Sequence, residues 1–452
     1  MKNILGIFVE NSSKAPIVEG FQRIKKRCIP NNTLIFKSNK LTINAVRAIK
    51  NHTNPKKRFS LKPNDVNMYL AASALSHLLD GWGYLSNAVN SLLCGNAGVS
   101  IHLAYYAELR AVMSFLASEG IGVFNKQHLA ATNINSFECF DKYKRKDKKG
   151  KMQNTKIGTH IFAWDALEKW CRSSNKPEYK LLEIFKVRGF DFQELVSSFL
   201  PSSSFPMSSN TVKGWLLKWA FDIKKYRSDR ELRNFVSYRP QTMSGFDSVI
   251  DCKQTIKRIY EIFETLSPLG DNPFRYLDTL LLTDLLTQLY ATISPTIREP
   301  YQVLVEKAFA DLGDSLDLST RTHLLSTLPL NQKHIIFAEA EREETAPLPI
   351  ISRAALLLRI STGCVSKLLK EALVGKDELC FVWDSYTLMN GFKDSPIPVT
   401  DFHTLWTEIE QYFSDLMIQI EHTDNNLYAI RQAAEEDISQ LSQFNRVALW
   451  GL

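Results

Sequence analysis

Apolar positions along this chain recur mostly at three- and four-residue steps, the period of a helix with one buried face. Asn64 or Asp65 can cap a helix that the spacing carries from Val66 to Leu93. Cys94-Gly95-Asn96-Ala97-Gly98 interrupts it, and a second helix is predicted over Ser100–Ser118, ending at Glu119-Gly120. Helical spacing returns at Ala163–Trp170, Lys180–Phe185, Thr211–Tyr226, Arg230–Val236 and Phe246–Leu266. Beyond Pro268 almost everything reads as helix: Phe274–Ile293, Tyr301–Leu312, Thr320–Leu328, Gln332–Glu343, Ser352–Leu373, Asp401–Glu421 and Asn425–Leu441. Two short β-rich runs, Ile4–Val9 and Thr33–Lys37, predict strands near the start.

These elements divide the chain into a small mixed α/β segment over 1–60, a helical unit over 61–270 and an all-helical part over 271–452. Lys50 to Lys62 reads as a basic linker between the first two. The helical unit carries a basic insertion near 125–210, centred on Lys142, Lys144, Arg145, Lys146, Lys148, Lys149 and Lys151. Such density of like charge predicts an exposed loop able to touch a phosphate backbone without reading bases. Near the C-terminus, Leu405, Ile409, Phe413, Leu416 and Ile420 form one apolar stripe, expected to dock on the body or on a partner subunit. The fold class is therefore mainly α.

The chain has 452 residues, enough for two or three domains, with 44% hydrophobic and 23% charged residues, as in ordinary globular proteins. Its net charge of +7 is uneven. From Asp401 onward nine acidic residues face only Arg431 and Arg446, a net of −7 that leaves about +14 for the rest. The seven cysteines are scattered and form no Cys-x-x-Cys pair, which argues for a reducing compartment and against a structural zinc site. No run of about 18 apolar residues stands out as a membrane span, so a cytoplasmic location is expected. The nine histidines are spread singly, no glycine-rich phosphate loop or nucleophile elbow occurs, and no metal or cofactor is called for.

Two segments carry a family resemblance. The first runs from Leu85 to His128 and includes Ala104-Tyr105-Tyr106-Ala107, where small residues let two helices approach while rings fill the gap beside them. The second is Asp229-Arg230-Glu231-Leu232-Arg233-Asn234-Phe235-Val236-Ser237-Tyr238. Together they resemble the HEPN superfamily, helical units common in prokaryotic defence proteins, whose RNase motif is Arg-x(4–6)-His with a polar residue after the arginine. The resemblance implies a helical bundle in which arginine and histidine cleave RNA without metal, the 2′-hydroxyl acting as nucleophile. Here Arg233 and Asn234 match, but Tyr238 stands at the histidine position, and a tyrosine with a pKa near 10 is a poor base at neutral pH. No histidine lies within ten residues of Arg233.

The resemblance therefore implies a non-catalytic subunit or scaffold of an anti-phage assembly, binding protein partners such as an ATPase or nuclease, with nucleic acid as a further expected partner. The alternatives are an RNase using Arg233 with Tyr238 or a distant histidine, and a DNA-binding regulator. The regulator reading comes from Ser352–Leu373, where Ser361-Thr362-Gly363 is expected to form the turn of a helix-turn-helix. Arg47 with His52 has the motif spacing but alanine after the arginine. Bland roles are available too: Arg233 paired with Asp229 one turn earlier, and Tyr238 packed at a seam before Pro240.

Overall fold

In a computed structural model of the chain, the described residues are 4–28, 43–54, 56–57, 60–140, 143–146, 152–155, 157–173, 178–200, 205–238, 251–268, 272–326, 328–343, 345–392, 400 and 402–452. The fold is mainly α. Among the described residues it opens with α1 (Ile4–Glu10), α2 (Ala15–Cys28) and α3 (Ile43–His52). The strand expected at Ile4–Val9 is thus a helix, since a short apolar run is equally compatible with either. The expected linker at Lys50–Lys62 begins inside α3, and the strand expected at Thr33–Lys37 lies outside the described residues.

The two helices predicted next are present as α4 (Pro63–Leu93) and α5 (Ala97–Ser118). Proline at the first turn, rather than a side-chain cap from Asn64 or Asp65, starts α4. Gly120 ends α5 at φ +88, and a Cβ there would sit 2.3 Å from the Ser13 carbonyl oxygen, so glycine is required twice over. A three-stranded antiparallel meander follows: β1 (Ile121–Phe124), β2 (Gln127–Asn133) and β3 (Ser136–Phe140). Ser13 N–H donates to Ala131 O, tying the N-terminal helices to this sheet. Gly20 lets α2 cross α4 closely, because an added Cβ would come within 2.2 Å of the Asn67 carbonyl oxygen.

The basic segment expected to be a loop contains a hairpin of β4 (Tyr143–Lys146) and β5 (Met152–Thr155). Lys144, Arg145 and Lys146 lie on β4, while Lys142, Lys148, Lys149 and Lys151 fall outside the described residues. Helix α6 (Thr159–Arg172) packs on this side of the core. A 3-10 turn covers Glu178–Ile184 where a helix was expected, before the short pair β6 (Lys186–Val187) and β7 (Phe190–Asp191). Next come α7 (Phe192–Phe199), α8 (Phe205–Trp219) and α9 (Ile223–Tyr238), so the stretch expected as continuous over Thr211–Tyr226 breaks between Ala220 and Asp222. The rest runs α10 (Cys252–Thr265), α11 (Arg275–Ile293), α12 (Tyr301–Asp311), α13 (Leu318–Leu324), α14 (Leu330–Lys333), α15 (Ile335–Glu341), α16 (Pro347–Glu371), α17 (Cys380–Met389), α18 (Thr404–Ile420), α19 (Leu427–Leu441) and α20 (Val447–Gly451).

Helices α4, α5 and α16 form the centre of one continuous apolar core. Buried Ala104, Ala107 and Ala111 leave room for close approach, and polar atoms on these helices find partners across the seams. Ser114 Oγ donates to Ala74 O at 2.7 Å, Ser361 Oγ to Ala111 O at 2.8 Å, and Trp82 Nε1 to Thr362 Oγ1 at 3.1 Å. Gly81, inside α4 as expected, faces Leu358 so closely that an added Cβ would lie 2.6 Å from its Cδ2. Helix α16 bears on two expectations and overturns the second. It is long and apolar enough to cross a membrane, but 94% of that window is buried within the protein. It also runs unbroken through Ser361, Thr362 and Gly363, all buried, so the expected turn of a DNA-binding motif does not exist. The C-terminal stripe docks on the body: Leu405, Ile409, Leu416 and Ile420 are buried, and Phe413 stacks on Tyr260 with centroids 3.6 Å apart.

Candidate functional site

Arg233 sits on α9 facing α5 and α6, with its side chain buried at 8% exposure. The expected partner Asp229 is not its partner. Asp229 binds Arg353 instead, through Nε at 2.9 Å and Nη2 at 2.7 Å. Arg233 lies over the rings of Tyr105 and Tyr106, 5.1 and 5.4 Å from their centroids, so the aromatic pair that suggested helix packing forms a cation–π platform. Its Nη2 also donates to His160 Nδ1 at 3.4 Å. Among the described residues no carboxylate pairs with Arg233, and its buried Nε has no hydrogen-bond partner.

Two histidines border this guanidinium. His160, at the start of α6, accepts at Nδ1 from Tyr105 Oη at 3.0 Å, and that hydroxyl in turn accepts from Trp164 Nε1 at 3.2 Å. Burial, then the charges of Arg233, Arg230 and Arg110, lower the His160 pKa to about 4. It is therefore neutral at pH 7, and with Nδ1 accepting, Nε2 carries the hydrogen. His102 on α5 sits against the other end of the motif, its Nδ1 2.7 Å from Ser237 Oγ. Ser237 donates its own proton to Arg233 O at 2.7 Å, so His102 Nδ1 is the donor and its Nε2 keeps a lone pair. Burial and Arg233 lower the His102 pKa as well. Tyr106 and His102 are half-buried and Ser237 is exposed, so the cluster opens to the surface along this edge.

No family model, curated protein or solved structure matches the chain.

Beside the cluster lies a buried ion network. Arg353 grips Asp229, and Glu108 Oε1 lies 3.7 Å from Arg353 Nε. Burial and the neighbouring Asp229 carboxylate push Glu108 well above the usual carboxylate range. These side chains fix α5, α9 and α16 to one another directly behind Tyr105 and Arg233.

The remaining expected residues are placed differently. Tyr238 is 81% exposed and packs at no seam, and Asn234 is half-buried on α9. Arg47 is exposed, while His52 Nδ1 accepts from Leu61 N–H and its ring lies 5.5 Å from Phe137, which is a structural role. Among the described residues no group of three His, Cys, Asp or Glu could hold a metal ion. His160 and His102 were missed because they lie 73 residues from Arg233 and 135 from Ser237. The four-residue steps His102, Tyr106 and Arg110 were the available signal, since they share one face of α5.

Proposed function

We propose that the chain is a HEPN-like, RNA-binding subunit that grips a backbone phosphate at Arg233. The observation that carries this reading is a buried guanidinium with no carboxylate partner among the described residues, set beside two neutral histidines and two tyrosines. A buried cation without an anion is costly, and a phosphate would supply the missing charge. Service in an anti-phage assembly beside an ATPase or nuclease follows from the resemblance of Arg233-Asn234 and the Tyr105-Tyr106 segment to that superfamily. The test is fluorescence anisotropy with single-stranded RNA, comparing wild type, Arg233→Ala and the exposed control Arg172→Ala. Loss of one phosphate contact should weaken binding uniformly across sequences and reduce the salt slope by about one. Equal binding by Arg233→Ala and wild type would remove the basis of this reading.

A second reading, metal-independent RNase activity, is favoured by the clamp on His102. Ser237 holds its Nδ1–H, leaving Nε2 to take the 2′-hydroxyl proton while Arg233 steadies the phosphate. Incubation with labelled RNA separates the two readings. Cleavage that vanishes in both His102→Ala and Arg233→Ala supports the enzyme, and intact RNA after prolonged incubation with wild type sinks it.

A further inference from the structure

A groove of about 440 Å³ lies between α4 and α17, on the far side of Tyr84 from the Arg233 cluster. Tyr84 stacks on Tyr106 with centroids 5.5 Å apart and planes at 27°, and Tyr106 in turn lies under the Arg233 guanidinium. Two stacked tyrosine rings, Tyr84 and Tyr106, therefore separate the groove from the proposed phosphate site. Its walls suit a flat heterocycle, with the Tyr84 ring on the α4 side and the exposed Met389 side chain on the α17 side. Along α4, Asp80, Gly83, Tyr84 and Asn87 recur at steps of three and four, so they share one face. Asp80 is half-exposed there, and Asn87 is exposed. Gly83 leaves the space open, since a Cβ built on it meets nothing within 4 Å.

We propose that this groove takes a nucleobase of the RNA held at Arg233, guanine being the preferred one. The inference rests on the Arg233 reading for its phosphate and on the groove itself for its base. Stacking on an aromatic ring accepts any base, because every base has a π-face. Selection then comes from the edges. The Asp80 carboxylate has acceptors only, and guanine offers adjacent N–H donors on its Watson–Crick edge. Asn87 can serve the remaining carbonyl as a donor. Arg110 braces this arrangement from behind: it donates to His77 Nδ1 at 2.8 Å, lies 3.7 Å from Asp80 and sits 5.8 Å from the Tyr84 centroid.

The test uses the full chain and two seven-nucleotide RNAs, one all uridine and one with a central guanine. Wild type should bind the guanine RNA roughly tenfold more tightly, the scale of one stacked and edge-paired base. Gly83→Leu fills the groove at a position with room for it, and should bind both RNAs with the affinity wild type shows for oligouridine. Asp80→Asn should lose the guanine preference while keeping oligouridine binding. Unchanged guanine preference in both variants overturns the groove proposal, even where Arg233→Ala abolishes RNA binding. Should wild type bind neither RNA, the Arg233 reading falls, and saturation-transfer NMR with guanosine decides the groove alone. Transfer to guanosine with wild type but not with Gly83→Leu upholds the groove. No transfer overturns it.

Discussion

Replacing Arg353 with methionine removes one charge from the centre of the protein and leaves nearly the same shape. The guanidinium is 6% exposed and donates four hydrogen bonds: two to the Asp229 carboxylate, and two from Nη1 to Ala340 O at 3.0 Å and Arg342 O at 3.3 Å. Loss of one partner from a buried pair strands the other charge, which costs about 3–5 kcal/mol. Against a total stability of about 5–15 kcal/mol, that is a large share. Urea titration followed by tryptophan fluorescence should show a lower midpoint with an unchanged slope. The deficit should also depend on pH. Burial already raises the Asp229 pKa, and Arg353 is the largest influence lowering it, so the variant's Asp229 rises further. A carboxyl whose folded pKa is raised stabilises the fold below its unfolded value, near 3.9, and loses that contribution as pH rises through the folded value. The deficit is therefore small near pH 4 and grows toward pH 7. Arg353→Met with Asp229→Asn should cost less than the two single changes together, by about 0.5–3 kcal/mol. A loss under about 1 kcal/mol at pH 7, flat down to pH 4, would refute the reasoning.

Gly81→Leu should destabilise by about 1–3 kcal/mol through overpacking against Leu358, whereas the same residue at Gly83 should melt no lower than wild type, since it meets no clash and leucine favours a helix interior over glycine; thermal denaturation compares them. Burial holds His128, His160 and His334 at about 4 and His77 at about 3. Because these folded values lie below the ordinary 6.5, the unfolded chain gains protons first, so the melting temperature should fall as pH drops from about 6.5 toward 4. A flat profile over that range would count against burial of these rings. Cys364 is buried with its thiol pushed up to about 12, while Cys380 is exposed, so iodoacetamide at pH 8 should alkylate Cys380 and reach Cys364 only after denaturation; peptide mass spectrometry reads the order.

The helices were legible where an apolar face contrasts with a polar one, as along α10 and α18. In α16, where burial is nearly uniform, the continuity of the helix was not legible. Helix α16 is buried on nearly every side, so Ser361-Thr362-Gly363 looked like a break, although each hydroxyl is satisfied by a carbonyl of its own or a neighbouring helix. Ile4–Val9 was too short for its period to decide between strand and helix. Of the site, Arg233 and the Tyr105-Tyr106 pair were visible, because local motif and spacing point to them. Their relation was not, since the expected partner Asp229 is drawn away by Arg353, 124 residues later in the chain. The histidines beside Arg233 come from α5 and α6, and only tertiary packing brings them there.

The position of α16 carries a consequence for how the protein is made. Ser361 completes its bond to Ala111 across 250 residues of chain. At about 5–20 residues per second, a ribosome needs roughly 12–50 s to supply that partner after Ala111 is synthesised. During this interval α4 and α5 present an unfilled apolar face, a ready target for chaperones or for premature association. The time at which the nascent chain becomes resistant to protease should therefore be set by release of residue 371, not by completion of the helix pair that heads the fold.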